Sequence, residues 1–372
     1  MNHADEIPPP PPSEIGTVLN PDGEPRQLEG LSKADIGAKI KDLKQQLCHL
    51  AAENYDGSRF VFPGAHPVSL TREMLQQTLC RQRYYVCEKS DGVRYLLMAD
   101  RDGDTYLVDR KCQFTKVDVQ LQHRGERHRN TLLDGELISE RSDDTEGEIS
   151  TAFIMYDSLS IKGNSVVSLP LPDRLAAISS MVLMHGSKAS KFSLRLKHMY
   201  DKSAVGFLWE EIVPKQRHGN DGLIFTAVDQ PYTRGTDFSL IKWKPPQLNS
   251  VDFVVEVVRS GHIRAQKLYI GKDGRHVELF HPFKKWINLS ENEMKAIDVK
   301  GGTCIVEAAW NFDGITENPP PPLSDGKKSK GAWKVLRIRD DKKDPNHVSV
   351  LETIWTSIQD HVLVKELQQS LS

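Results

Sequence analysis

Four apolar runs in this chain meet an Asp-Gly step, at Asp91-Gly92, Asp102-Gly103, Asp134-Gly135 and Asp221-Gly222. Glycine accepts backbone angles that other residues resist, so Asp-Gly reads as a tight turn. The runs beside these steps, among them Tyr84–Cys87, Tyr95–Ala99, Thr105–Asp109, Thr131–Ile138 and Leu223–Ala227, have the length of strands rather than helices. A chain punctuated this way must build much of its core from sheet. The first step is the most informative. Glu88-Lys89-Ser90-Asp91-Gly92-Val93-Arg94 reads as a hairpin, with a lysine at the end of one strand and an arginine just past the turn. A lysine beside a turn is most often a solvated charge. Held rigidly where its surroundings lower its pKa, the same amine becomes a nucleophile.

Helices frame the strands. Ser32–Leu50 has a capping serine, Asp35 in the first turn, and Ile36, Ile40, Leu43, Leu47 and Leu50 on one stripe. Met74–Gln82, Pro172–Met184 and Ala204–Val213 also read as helices. Ala152–Tyr156 and Phe238–Trp243 read as further strands, and the two-residue period puts Lys242 and Lys244 on one face. Pro245-Pro246 must stop the ladder, because proline has no amide donor, and the domain boundary is placed there. Beyond it Val251–Val258, Gln266–Ile270, Val277–Phe280, Thr303–Ala309 and Trp333–Ile338 suggest a small OB-fold barrel, although a small sandwich fits the same pattern. Glu317–Lys330 is a polar loop, and Val350–Gln368 a final helix. The class is α+β. The expected division is a flexible segment 1–30, a first domain 31–247, a barrel 248–345 and a terminal helix 346–372.

Composition removes several alternatives. A net charge of −2 gives no global positive field, so contact with nucleic acid should be local and brief. No apolar run approaches a membrane span, and the acidic, proline-rich Met1–Pro12 does not read as a secretory signal. The 5 cysteines are odd in number and lack CxxC pairing, which argues for reduced thiols in the cytosol or nucleus and against structural zinc. Pro8–Pro12 reads as a stiff polyproline segment.

Together the charged residues on these strands supply what nucleotidyl transfer needs. Lys242 and Lys244 would depress the pKa of a lysine nucleophile and neutralise charge on a phosphate. Glu136 and Asp221 would hold a divalent metal or a ribose hydroxyl. Phe153 would stack on a base.

Six stretches in order now show a resemblance: Lys89-Ser90-Asp91-Gly92-Val93-Arg94, Asp134-Gly135-Glu136-Leu137, Phe153-Ile154-Met155-Tyr156-Asp157, Asp221-Gly222-Leu223-Ile224-Phe225, Leu240-Ile241-Lys242-Trp243-Lys244-Pro245, and Trp333 through Lys342 with Arg339-Asp340-Asp341-Lys342 at its end. The chain resembles the covalent nucleotidyltransferase superfamily of mRNA-capping guanylyltransferases and ATP-dependent polynucleotide ligases. The last stretch and the whole-chain layout are similar to the capping branch, above all to the monofunctional capping enzymes of fungi. The resemblance implies a ligase-type nucleotidyltransferase domain, of ATP-grasp-like antiparallel sheets with helices, followed by an OB-fold domain. It implies that Lys89 takes GMP from GTP, releasing pyrophosphate, and passes it to the 5′-diphosphate end of nascent RNA. Arg94, Arg110 and Glu136 would contact the ribose side, and Phe153 would stack on guanine, with Tyr156 as second candidate. Ser193 and Lys197 would read the guanine edge, and Lys242 and Lys244 would bind the α-phosphate. Asp221 would place Mg²⁺ or Mn²⁺. Arg339, Asp341 and Lys342 would reach the outer phosphates from the second domain, which requires domain closure about a hinge near Pro245–Val251. The final helix would pack back on the first domain. The family's setting also implies a nucleus, the phosphorylated tail of RNA polymerase II and a separate RNA triphosphatase. An ATP-using ligase and a catalytically dead polymerase-binding scaffold are the alternatives.

Overall fold

A computed structural model describes residues 17–19, 25–27, 33–52, 61–117, 119–123, 126–141, 149–179, 182–185, 192–260, 263–279, 287–311 and 332–372. Pro8–Pro12, Ser32, Phe280 and the Glu317–Lys330 loop lie outside them. The chain divides into two compact units. One holds the described residues up to Val68, Gln76–Trp243 and Leu367–Ser372; the other holds Ser69–Leu75 and Lys244–Glu366.

The first unit is built on two large sheets. One runs in the order Asn164–Ser165, Ile149–Ile161, Thr131–Arg141, Val93–Ala99, Thr105–Val108, Phe114–Val117, Thr17–Leu19, Pro25–Gln27, with Phe192–Leu196 also pairing Ile149–Ile161. The other runs Tyr200–Asp201, Tyr84–Ser90, Asn220–Ala227, Gly235–Trp243, Ala65–Ser69. Most pairs are antiparallel. Alternation along these strands sends Leu96 and Met98 to one core and Leu97 and Ala99 to another. The helix Lys33–Leu50 buries Leu43, Leu47 and Leu50 in the first of these cores.

The expected hairpin at Lys89 is not one. Tyr84–Ser90 and Val93–Ala99 belong to different sheets, and Asp91-Gly92 is the link between them. The Asp91 N–H donates to Gly219 O (2.8 Å). Glycine is needed at position 92 for close approach rather than for a left-handed angle. A Cβ there would lie 2.5 Å from the Leu137 carbonyl oxygen. Only Asp102-Gly103 is the turn that the sequence suggests, with Gly103 at φ +83°. Asp134-Gly135 and Asp221-Gly222 sit inside strands, at register shifts.

Three helices are shorter than their periodicity suggests. Pro172–Met184 becomes a helix over Leu171–Ser179, and Val182–His185 pairs as a strand with Val119–His123. Ala204–Val213 becomes short 3₁₀, α and π turns. Met74–Gln82 becomes Arg72–Met74 followed by a π turn, Leu75–Leu79.

The second unit holds one sheet in the order Arg275–Glu278, Ile263–Lys272, Ser250–Ser260, Thr303–Asn311, Ala332–Ile338, Ile287–Asn288. The first five are antiparallel neighbours, and the last pair is parallel. The five expected strands are all there, and the helix Glu291–Val299, started by a Ser290/Glu293 capping box, is an addition. Trp310, Trp333 and Trp355 meet edge-on, with centroids 5.4 Å and 4.8 Å apart around Trp310. The final helix is two. Val348–Asp360 ends where His361 turns left-handed, at φ 46° and ψ 46°, and Val364–Leu371 follows. The first buries Leu351, Trp355 and Ile358 in the core of the second unit. The second clusters with the first unit from Leu367 onward, where Gln368 donates to Glu210 (2.8 Å).

Candidate active site

Lys89 lies next to the end of Tyr84–Ser90, opposite Gly222 on Asn220–Ala227. Ser90 pairs with Asn220, so Asp221 is one residue too many on its strand. Such a bulge re-aims the side chain of the extra residue. The Asp221 Oδ1 lies 2.6 Å from Lys89 Nζ, each side chain roughly a quarter exposed. The same device occurs on the facing sheet. Asp134 pairs with Asp157 and Gly135 with Met155, which leaves Tyr156 as the extra residue of its strand. Tyr156 lines the same pocket as Lys89.

That pocket lies within the first unit and takes side chains from both sheets, including Glu88, Lys89 and Ser90 from one and Arg94, Asp134 and Glu136 from the other. Arg94 is buried and held as a fork. Its Nε donates to Asp134 Oδ1 (3.0 Å) and its Nη2 to Asp134 Oδ2 (2.5 Å), while Nη1 donates to the Ala65 carbonyl. The Tyr232 hydroxyl adds a 2.5 Å bond to Asp134. Burial works against the Arg94 charge, but Asp134 beside it raises its pKa.

Positive charge converges here. Burial lowers the pKa of His66, and the nearby charges of Arg94, Arg110 and Lys242 lower it further against the pull of Asp134. Burial raises the pKa of Glu136, with Lys89 and Lys197 opposing and Asp221 and Asp91 reinforcing. The Cys87 thiol is pushed up to about 12 by burial, which removes it as a rival nucleophile at neutral pH. At the back of the pocket Lys197 Nζ lies 2.5 Å from Glu88 Oε1 and donates to Ser90 Oγ (2.5 Å).

The sequence expectations therefore sort into three groups. Lys89, Arg94, Arg110, Glu136 and Lys197 all line the pocket, Asp221 joins through Lys89, and the charge of Lys242 reaches His66. Lys244, Arg339, Asp341 and Lys342 belong to the second unit. There Arg339 is 3.1 Å from Asp252 and 2.7 Å from Asp341, and Lys342 is 3.7 Å from Asp252. Phe153 and Ser193 are not in the pocket. Phe153 is fully buried in the core with Leu97, Leu133 and Leu137, its ring filling the space that Gly135 leaves. Tyr156, three positions on and so on the opposite face of the strand, lines the pocket in place of Phe153. Ser193 pairs through its backbone with Ala152. The partner on Lys89 is the acid Asp221, where sequence reasoning looked for cations. That reasoning also missed His218, Tyr232 and Glu88, none of which sits at the named position of a motif.

Family comparison decides between the branches. Residues 26–246 match the family described as "mRNA capping enzyme, catalytic domain", and residues 248–368 match "mRNA capping enzyme, C-terminal domain". The chain belongs to the mRNA capping enzyme family. It is similar to the mRNA-capping enzyme subunit alpha of Schizosaccharomyces pombe, with 31% identity over 89% of this chain and 84% of that one. The subunit alpha of Neurospora crassa is 29% identical over 92% of each chain. The mRNA-capping enzyme of Danio rerio is 30% identical over 91% of this chain but 54% of its own length. Family membership makes the protein an mRNA guanylyltransferase, with GTP as the family's nucleotide substrate, and does not favour the ligase alternative.

Proposed function

We propose that the pocket around Lys89 forms the lysyl-GMP intermediate of mRNA capping, with the residues in the following roles. Lys89 Nζ attacks the α-phosphorus of GTP. The N–P bond forms as the bond to the pyrophosphate oxygen breaks, and the amine's proton leaves to Asp221. A terminal oxygen of the RNA 5′-diphosphate then attacks the same phosphorus, the P–N bond breaks, and Lys89 recovers a proton. Tyr156 stacks on guanine and Lys197 meets its 6-oxo edge. Glu136 and Arg110 face the ribose, while Arg94, clamped by Asp134, fixes the strand that carries Glu136. Lys242 and Lys244 neutralise the α-phosphate, and Arg339, Asp341 and Lys342 meet the outer phosphates when the units close.

Among the described residues no group of three His, Cys, Asp or Glu side chains can hold a metal alone. Asp221 with Glu136 suits Mg²⁺ or Mn²⁺ in another way, since Mg²⁺ usually takes one or two carboxylates and completes its shell with phosphates and water. Bound there, the ion would neutralise charge on the α-phosphate. We further propose that the sheet of the second unit is the OB-type barrel and that the enzyme works in the nucleus. Its partners there would be a separate RNA triphosphatase subunit and the phosphorylated tail of RNA polymerase II, the latter docking on a basic patch of the first unit.

The observation that carries the reading is the Lys89–Asp221 contact of 2.6 Å in a pocket that Arg94, Arg110 and Lys197 also line. The test is incubation with labelled GTP or ATP and magnesium, followed by a denaturing gel. A covalent adduct from GTP that Lys89→Ala abolishes is expected. Labelling by ATP alone, or an undiminished adduct in Lys89→Ala, overturns it.

A further inference from the structure

Behind the pocket lies a chain of charged groups, buried except for Arg195, that neither chemical step uses. His218 is 8% exposed. Its Nδ1 faces Glu140 Oε1 at 3.0 Å, and its Nε2 faces Glu88 Oε1 at 3.5 Å and Ser90 Oγ at 3.4 Å. Glu140 also binds Arg195. Glu88 and Ser90 are the two groups that hold Lys197 Nζ, each at 2.5 Å. Lys197, Glu88 and Ser90 line the pocket, whereas His218, Glu140 and Arg195 do not.

The donors can be counted. A carboxylate accepts only, and an imidazole donates from both nitrogens only as its cation. With a carboxylate facing each ring nitrogen, the imidazolium satisfies both and the neutral ring satisfies one. Protonated, His218 joins Lys197 and Arg195 as three cations around Glu88 and Glu140. Glu88, Glu140 and the Ser90 hydroxyl face the ring directly, and Lys197 and Arg195 face it through those carboxylates, so the surrounding groups come from three strands or their ends.

We propose that His218 is a positioning residue for Lys197: by donating to Glu88 and Glu140 together, it fixes the carboxylate on which Lys197 is held and so sets how well the pocket separates a 6-oxo purine nucleotide from a 6-amino one. The inference rests on the reading of Lys197 as the group that meets the base edge. Lys197 is a pure donor, so it favours an oxo acceptor and opposes an amino group. A residue that lets it drift loosens that discrimination without touching the phosphorus chemistry.

Protonation is the handle. Burial works against charge on His218, but hydrogen bonds to Glu140 and Glu88 raise its pKa. The bridge should be complete at mildly acid pH and lose one arm as the ring deprotonates.

The experiment measures adduct formation by the full chain with GTP and with ATP across mildly acid to mildly alkaline pH. His218→Ala should raise the KM for GTP about tenfold while kcat stays within about threefold, and the preference for GTP over ATP should fall by a similar factor. The wild-type KM should climb as pH rises. His218→Gln, whose amide donates from one end without titrating, should recover part of the affinity and flatten that climb. Combining His218→Ala with Lys197→Ala should do no more than Lys197→Ala alone. Additive effects, or a fall in kcat with KM unchanged, overturn the proposal. If His218→Ala does not fold, identical pH profiles for wild type and His218→Gln overturn it equally. A wild-type protein that forms no adduct with any nucleotide defeats the reaction reading instead. The pairing is then judged by NMR titration of His218. Lys197 lowers that titration, so Lys197→Ala must move it upward, and an unmoved titration overturns the pairing.

Discussion

Two ion pairs of the first unit, anchored five residues apart in the chain, are built in opposite ways. Arg94 and Asp134 are nearly sealed, with side chains 8% and 1% exposed, and Tyr232 and the Ala65 carbonyl complete the group. Lys89 and Asp221 are 23% and 22% exposed, with the amine 2.6 Å from one carboxylate oxygen. The first pair is a fixture. A buried charge whose partner is removed is strongly destabilising, so the geometry around Arg94 is enforced by the penalty for breaking it. The second pair is partly open to solvent, where an ion pair contributes little, and that is what the proposed attack of its amine on phosphorus requires. Between them lies Gly92, which carries the chain from one sheet to the other against the Leu137 carbonyl. The chain thus ties the position of Lys89 to a sealed neighbour while the contact of Lys89 itself stays open to solvent.

The largest effect should come from the sealed pair. Arg94→Ala leaves Asp134 buried and without its main partner, and should cost about 3–5 kcal/mol of stability, read from urea denaturation. A cost under about 1 kcal/mol would erase the contrast between the pairs. Gly92→Ala comes next. Its Cβ would collide with backbone, so a loss of about 1–3 kcal/mol is expected, together with reduced adduct formation as Lys89 is displaced. Lys89→Ala should abolish the adduct yet change stability by no more than about 1 kcal/mol, as for a partly exposed pair. If that variant unfolds as readily as Arg94→Ala, the loose pair is structural after all.

How much of this was legible from residues alone follows the range of each interaction. Strand positions come from short-range patterning, and nearly all expected strands are present. That Lys89 and the basic and acidic groups around it come together was legible because they sit in stretches of distinctive wording. Sheet membership was not legible. Asp91-Gly92 has the composition of a hairpin turn, and nothing local says that Tyr84–Ser90 finds its partners more than a hundred residues later. The preference for Phe153 over Tyr156 failed for a related reason. The two-residue period puts Phe153 and Tyr156 on opposite faces, but which face packs on Leu97, Leu133 and Leu137 is set by the neighbouring strands, so inspection of one strand cannot choose between them. His218 is invisible for the same cause, since its carboxylate partners lie 78 and 130 positions away in the chain and form no motif. The overlong helix at Pro172 shows tertiary pairing overriding local periodicity, because Val119–His123 draws Val182–His185 into a strand.

The finest test of the contrast uses Glu136, the acid that faces the loose pair. Burial raises its pKa even though Lys89 and Lys197 pull the other way. The folded state therefore keeps this proton to higher pH than the unfolded chain does. Where the native state binds more protons than the unfolded one, stability falls as pH rises. Glu136 thus subtracts stability from the ordinary carboxylate range up through its raised pKa, and by a constant amount above it. Glu88 and Glu140 act with the opposite sign. Despite burial, hydrogen bonds from His218 lower their pKa, so their contribution is present above the ordinary range and lost as pH falls. Glu136→Gln should match wild type in acid, become the more stable protein as pH rises through that window, and hold its advantage at neutral pH. Urea midpoints of the two proteins across the same pH series measure this directly. Parallel curves would mean that Glu136 is already stabilised as an anion by Lys89, in which case the nucleophile is engaged from two sides and the pair is not loose.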